Sequence, residues 1–195
     1  MSHIQIRRSR GSESPRLLAQ AWHLRHEVFR DGLGWDVSSI NHLEYDHFDD
    51  AAHHCFALEK GEVVAYWRSL CTVSPYLLEE SFGILLGSAP APKQQDVWEI
   101  SRFLVRPGHP ERAALGRLMV RAAAAFGVDV GARELLAVVE PPFARFIRAS
   151  GLPIDLRCPP TVVGVGRHGP VKAVLIGLDI PAYATLLDLP PAIAA

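Results

Sequence analysis

Charged residues set among apolar and aromatic ones mark where this chain could do chemistry. Glu99 and Arg102 lie inside Val97-Trp98-Glu99-Ile100-Ser101-Arg102-Phe103-Leu104-Val105, a run that otherwise reads as a buried strand. Upstream, Glu44-Tyr45-Asp46-His47-Phe48-Asp49 interleaves three carboxylates with aromatic residues. Arg68 stands in an apolar alternation with Val64, Tyr66 and Leu70, where a lone arginine is costly without a carboxylate. Charge goes inside a protein only when it is paired or working. Arg25, Glu44, Asp46, Asp49, Arg68, Glu99 and Arg102 together suit a ligand bearing both an amine and a carboxylate. Carboxylates would hold the ammonium and arginines would grip the carboxylate with two prongs. A glutamate near the amine could take its proton, directly or through water. The same residues could equally form surface ion pairs beside a solvated acidic loop.

Other chemistries find less support. His23, His26, His42, His47, His53 and His54 crowd the first part of the chain, but no zinc spacing or H-E-x-x-H is present. They read as solvated histidines, and no metal is expected. No G-x-S-x-G occurs, and Cys55 and Cys71 fall in strand-like runs that suit small core residues. Covalent catalysis is therefore disfavoured against direct attack by a bound substrate. Gly108 to Gly116 is neither a P-loop nor a G-x-G-x-x-G. Glu99 and Arg102 have opposite parity on an ideal strand. Either a bulge re-aims one of them or they serve different parts of a site.

The elements that must position these groups follow from periodicity. His3–Arg7 reads as a strand, and Ser14-Pro15 as an N-cap with proline at the first helical position. Leu17, Ala21, Leu24 and Val28 form a helical stripe, with Arg25 beside it and Asp31-Gly32 and Gly34 ending it. Trp35 to Asp50 has no period and reads as a functional loop. His54–Glu59 and Glu62–Val73 form a hairpin around Lys60-Gly61. A short helix is predicted within Pro75–Gly87. Helices are expected at Ala113–Phe126 and Pro142–Ser150, and strands at Leu135–Val139, Thr161–Gly166 and Val171–Ile180. The order predicts one α/β (α+β) domain over residues 1–189, a single mixed sheet flanked by helices, with a loose tail at 190–195. A strand–turn–helix at Ile100–Phe126 could offer backbone N–H groups to a pyrophosphate.

At 195 residues, 49% hydrophobic, 21% charged and net charge −1, the chain has no global basic field that would favour nucleic acid or a membrane surface. Three cysteines without a C-x-x-C argue for free thiols. The absence of a signal-like N-terminus and of a bilayer-length apolar run predicts a cytoplasmic protein.

These residues resemble the acyl-homoserine-lactone synthases, the LuxI-type autoinducer synthase family of bacterial quorum sensing. The resemblance rests on Arg25, Phe29 and Trp35 within Leu24–Trp35, on Glu44, Asp46 and Asp49, and on Arg68. It continues through Thr72–Leu78 with Phe82 and ends in Trp98-Glu99-Ile100-Ser101-Arg102-Phe103. It implies a mostly antiparallel sheet similar to the GCN5-related N-acyltransferase fold. It also implies two substrates, S-adenosylmethionine and an acyl thioester of coenzyme A or acyl carrier protein, with no tightly bound cofactor. The amine would attack the thioester, and the carboxylate would then close on the γ-carbon to expel methylthioadenosine. Glu99, Ser101 and Arg102 would be catalytic. Arg25, Phe29, Trp35, Glu44, Asp46, Asp49 and Arg68 would bind S-adenosylmethionine. Phe103, Val105, Arg106, Arg112 and Gly116 would lie along the thioester arm. Tyr76, Phe82, Ala137, Val139, Phe143, Phe146 and Ile147 would line the acyl pocket. Ala137, aligned with a threonine of members preferring 3-oxo chains, implies a chain without that oxygen. Arg145 and Arg148, one helical step apart, could meet an acidic carrier protein. A general acetyl-coenzyme A N-acetyltransferase, whose signature Arg112–Gly116 fits poorly, and a non-catalytic binding module are the alternatives.

Overall fold

The computed structural model describes residues 3–186, so the tail expected at 190–195 lies outside the described residues. The strands form one mixed, mostly antiparallel sheet in the order β1-β4-β5-β6-β7-β10-β8, with β9 paired to β10. Their ranges are β1 Ile4–Arg10, β4 His53–Glu59, β5 Glu62–Cys71, β6 Val97–Val105, β7 Glu134–Val139, β8 Ile154–Leu156, β9 Thr161–Gly166 and β10 Gly169–Asp179. A separate two-residue pairing joins β2 Ser39–Ile40 to β3 Leu43–Glu44. The helices are α1 Pro15–Arg25, α2 Leu77–Ser81, α3 Arg112–Asp129, α4 Pro141–Ala149 and α5 Ile180–Leu186. No helix among the described residues is long and apolar enough to cross a membrane.

The chain packs as two compact units interleaved in sequence. The first holds the chain up to Ser69, Arg102–Met119 and Gly164–Val171; the second holds Leu70–Ser101, Val120–Val163 and the chain from Lys172.

In the first unit, β1 pairs antiparallel with β4, and β4 with β5. The register sets His54 opposite Arg68 and Phe56 opposite Tyr66. Leu18, Ala21 and Leu24 of α1 pack with Phe29, Phe56, Leu58, Val63, Tyr66 and Leu104 in one apolar core. The buried positions of α1 are 18, 21, 24 and 25, so the inward stripe is rotated from the one expected through Leu17 and Val28. That rotation carries Arg25 inside, since residues 18, 21 and 25 share one helical face. Ser14 occupies the N-cap position but makes no side-chain cap bond; Pro15 supplies the start.

The helical run ends at Gly32, as expected, but from His26 to Gly32 it is π-helical, a geometry found mostly at functional sites. One further expectation is corrected. The stretch read as an unstructured loop contains β2 and β3, turned by Asn41 and His42 at φ 52° and 62°. These are the two left-handed residues that a tight hairpin turn needs.

In the second unit, β7 pairs antiparallel with β10, and β10 with β8, a short strand with no clear sequence signal. The parallel ladder from β6 to β7 covers only Val97–Glu99 against Glu134–Leu136. Trp98 meets Phe126 edge-on at 5.5 Å. The segment expected as one helix over Pro75–Gly87 divides into α2 and a 3-10 turn, Gly83–Leu86.

Candidate active site

Six of the charged residues picked out by sequence meet in the first unit. Glu44 closes β3, and Asp46 and Asp49 follow in a turn where the Asp46 N–H donates to Asp49 Oδ2 (2.9 Å) and the Phe48 N–H to Asp46 Oδ1 (3.1 Å). Arg25 donates through Nε to Glu44 and through Nη1 to Asp49 Oδ1 at 2.7 Å. Arg68 grips both oxygens of Asp46, with Nη2–Oδ2 at 2.8 Å, and reaches Asp49 Oδ1 at 2.9 Å. Arg102 donates from Nε and Nη2 to Glu44 at 2.9–3.2 Å and from Nη2 to Asp46 Oδ2 at 3.0 Å. Three cations and three anions thus form one connected network, not a set of surface pairs.

Arg25, Arg68 and Glu44 have no side-chain exposure; Asp46 and Arg102, at 14% and 12%, are its accessible edge. Burial alone would raise the carboxyl of Asp49, but the Arg25 and Arg68 charges outweigh it and hold that group down to about 2. Asp46 is lowered likewise, its burial overcome by Arg68 and then Arg102. Arg102 is itself lowered, first by desolvation and then by the like charges of Arg68 and Arg25, against the pull of Glu44. One donor is left over. Arg25 Nη2 is buried with no hydrogen-bond partner, 3.8 Å from Asp46 Oδ2. Buried donors are nearly always paired, and this one is an exception within the network.

Arg102 takes φ 54°, a left-handed conformation uncommon for a residue with a side chain. It falls at the residue of β6 whose side chain reaches Glu44 and Asp46. Around the network, Phe29 and Trp35 stack at 5.2 Å with planes 6° apart. The Arg102 guanidinium lies 5.8 Å from the Phe29 ring, and that of Arg68 lies 5.3 Å from Phe48.

In the second unit, Glu99 accepts the first N–H groups of α2, from Leu77 at 3.0 Å and Leu78 at 2.6 Å. Tyr76, fully buried, donates its hydroxyl to the Pro92 carbonyl at 2.8 Å. Tyr76, Phe82, Ala137, Val139, Phe143, Phe146 and Ile147 all belong to this second unit, with Phe143 and Phe146 stacked at 5.8 Å. Ala137 stands opposite Ile176 on β10. Ser101 is half-buried at the end of the unit's β6 segment. Phe103, Val105, Arg106, Arg112 and Gly116 belong to the first unit. There Arg106 is tied to β5, its N–H to the Val64 carbonyl (2.8 Å) and Nη2 to the Val63 carbonyl (2.6 Å). Arg112 is exposed and opens α3.

The reading of the histidines as solvated is corrected for two of them. His26 is buried, with Nδ1 2.6 Å from Ser39 Oγ and Nε2 3.1 Å from His42 Nδ1. His54 is fully buried and links Tyr66 to the acidic turn: Nδ1 lies 2.7 Å from the Tyr66 hydroxyl and Nε2 2.9 Å from the Asp49 carbonyl. A carbonyl only accepts, so Nε2 carries the proton and the Tyr66 hydroxyl donates to Nδ1. Burial lowers His54 and raises Tyr66, which keeps both neutral beside the network. The strand pattern around His54 was the available signal for this role. No cluster of three metal-ligating side chains occurs among the described residues.

Comparison with known proteins shows the family. The autoinducer synthase family profile matches residues 11–179. An acyl-homoserine-lactone synthase of Aeromonas salmonicida is 34% identical over 142 residues, covering 70% of this chain and 69% of that protein. One from Ralstonia solanacearum is 33% identical over 183 residues, covering 89% and 87%. The crystal structure of TofI in a ternary complex with an inhibitor and MTA superposes with a TM-score of 0.81 at 30% identity, covering 97% of this chain and all of that one. The buried ion network is therefore carried by a chain that belongs to the autoinducer synthase family of acyltransferases, the acyl-homoserine-lactone synthases.

Proposed function

We propose that the protein makes an N-acyl-L-homoserine lactone from S-adenosylmethionine and an acyl thioester, releasing methylthioadenosine. One observation carries the reading: a buried, charge-balanced network of three arginines and three carboxylates that retains an unpaired Arg25 donor. The amino and carboxylate groups of methionine are together neutral, so such a network can exchange partners with them without gaining net charge in a low-dielectric site. The accessible Asp46 carboxylate suits the ammonium, and Arg102 and the spare Arg25 donor suit the carboxylate. The remaining sulfonium charge is favourable over the Phe29 and Trp35 faces. TofI, 30% identical, was crystallised with MTA, which we take as methylthioadenosine, the nucleoside this reaction would release.

In the reaction, the deprotonated amine adds to the thioester carbonyl and the thiol leaves. A substrate carboxylate oxygen then displaces sulfur at the γ-carbon, and the C–S bonding pair neutralises the sulfonium. Glu99 is the carboxylate we assign to the ammonium proton, taken through water, while its bonds from α2 hold it in place. Backbone donors around Ser101–Phe103 would stabilise the oxyanion. The thioester arm is assigned to Phe103, Val105, Arg106, Arg112 and Gly116. Tyr76, Phe82, Val139, Phe143, Phe146 and Ile147 would receive the acyl chain. Ala137 offers no hydroxyl to a 3-oxo group, so we assign a chain unsubstituted at that carbon, or a less usual acid. The donor is a coenzyme A or acyl carrier protein thioester, with the exposed Arg145 a contact for an acidic carrier.

Purified protein, S-adenosylmethionine and a panel of acyl thioesters should yield lactone and methylthioadenosine in equal amounts by mass spectrometry. Acetyl transfer to simple amines with no methylthioadenosine would instead favour a general N-acetyltransferase.

A further inference from the structure

The π-helical segment His26–Gly32 ends with an accounting problem. The carbonyls of Val28, Phe29 and Arg30 are taken by the N–H groups of Leu33 (2.9 Å), Trp35 (2.9 Å) and Gly34 (3.1 Å). The next three, of Asp31, Gly32 and Leu33, have no helix to continue into. All three go to one residue distant in sequence. Arg167 donates Nη2 to the Asp31 carbonyl, Nε to the Gly32 carbonyl at 3.3 Å and its backbone N–H to the Leu33 carbonyl at 2.8 Å. A guanidinium there also meets the negative end of the helical dipole.

The approach is possible because two glycines stand at the contact. A Cβ on Gly34, at φ 68°, would lie 2.8 Å from the Arg167 nitrogen; one on Gly166 would lie 2.8 Å from the Leu33 oxygen and 3.3 Å from Trp35 Cδ1. The turn between β9 and β10 therefore sits directly against the segment that carries Phe29 and Trp35. Phe29 in turn faces the Arg102 guanidinium.

We propose that Arg167 is a positioning residue for the sulfonium-bearing substrate: it clasps the end of the π-helical segment and so fixes the Phe29–Trp35 stack over the ion network. The proposal rests on the S-adenosylmethionine reading given above. Arg167 touches no reacting atom; it acts through the backbone of residues 31–33.

Arg167→Ala removes two of the three bonds and leaves the backbone bond to Leu33, so the turn stays docked and the chain folds. We expect its KM for S-adenosylmethionine to rise about tenfold, with the KM for the acyl thioester within twofold of wild type. The near-ultraviolet circular dichroism of the aromatic stack should weaken towards that of Trp35→Phe. Gly166→Ala, which pushes on Leu33 and Trp35 directly, should reproduce the KM split, and Arg167→Lys should recover part of it. Unchanged S-adenosylmethionine KM and near-ultraviolet signal in Arg167→Ala would overturn the proposal. So would equal losses for both substrates. Failure of the wild type to bind S-adenosylmethionine would instead sink the reading beneath it; the near-ultraviolet comparison needs no substrate and still decides the clasp.

Discussion

Arg102 and Glu44, 58 positions apart, are joined by Nε to both carboxylate oxygens at 3.1 and 3.2 Å and by Nη2 to Oε1 at 2.9 Å. Arg102 adopts φ 54° while making this contact. A left-handed conformation costs a residue with a Cβ roughly 1–2 kcal/mol, and the ion pairs must outweigh it. Arg102→Ala should destabilise the protein by about 3 kcal/mol, because it leaves buried carboxylates short of a partner, and should reduce turnover by about 100-fold or more. Arg102→Gly loses the same guanidinium but relieves the backbone, so urea unfolding should find it about 1 kcal/mol more stable than Arg102→Ala. Equal stabilities would show that the left-handed residue stores no strain.

Acid should destabilise the protein in two stages. His54 is lowered in the folded state by burial, so below about pH 6.5 the unfolded chain takes up a proton that the folded one resists. His53, lowered first by burial and then by Arg10 and Arg8, adds to this stage. Asp49, held at about 2, contributes stability that is whole above about pH 4, the unfolded carboxyl range, and lost as pH falls through the folded value. Urea midpoints should thus drop between pH 7 and 5.5 and again below about pH 4. In His54→Gln the first drop should shrink and the second remain.

Glu99 holds the start of α2 through Leu77 and Leu78. Glu99→Gln turns an amide NH2 towards N–H groups that need acceptors. Exchange of those two backbone amides should accelerate by about tenfold, and most lactone synthesis should be lost. Wild-type turnover in this variant would remove Glu99 from the proton-transfer role, and unchanged exchange would remove it from the anchoring one.

Cys55 is fully buried, and that burial pushes its thiol up to about 12. The native protein at pH 8 should therefore react with a thiol reagent at Cys71, which is partly exposed, and leave Cys55 untouched until denaturant is added. Rapid native labelling of Cys55, read by peptide mass spectrometry, would contradict its place in the core.

Ala137→Thr places a hydroxyl on β7 where the acyl chain is assigned. The ratio of 3-oxo to unsubstituted lactone, with both thioesters supplied equally, should rise several-fold. An unchanged ratio would separate this position from the acyl chain.

Much of this protein was legible from residue order alone, and the limit of that legibility is physical. Strong alternation and helical spacing placed β6 at Val97–Val105 and β9 at Thr161–Gly166, and put α3, β7 and α4 close to their final bounds, because local periodicity reports which side of an element is buried. Buried-strand context singled out Arg68, Glu99 and Arg102, since an apolar run tolerates a charge only for a reason. Only the tertiary structure decided their partners. Arg25, Glu44, Asp46, Asp49, Arg68 and Arg102 close one network, and Glu99 takes the first N–H groups of α2, because pairing depends on register and on a single left-handed residue that periodicity does not reveal. The π-helical widening after Arg25, the burial of His54 and the reach of Arg167 to residues 31–33 were likewise invisible in the sequence. The last is a contact between segments far apart in the chain, and the other two depend on packing that residue order does not state.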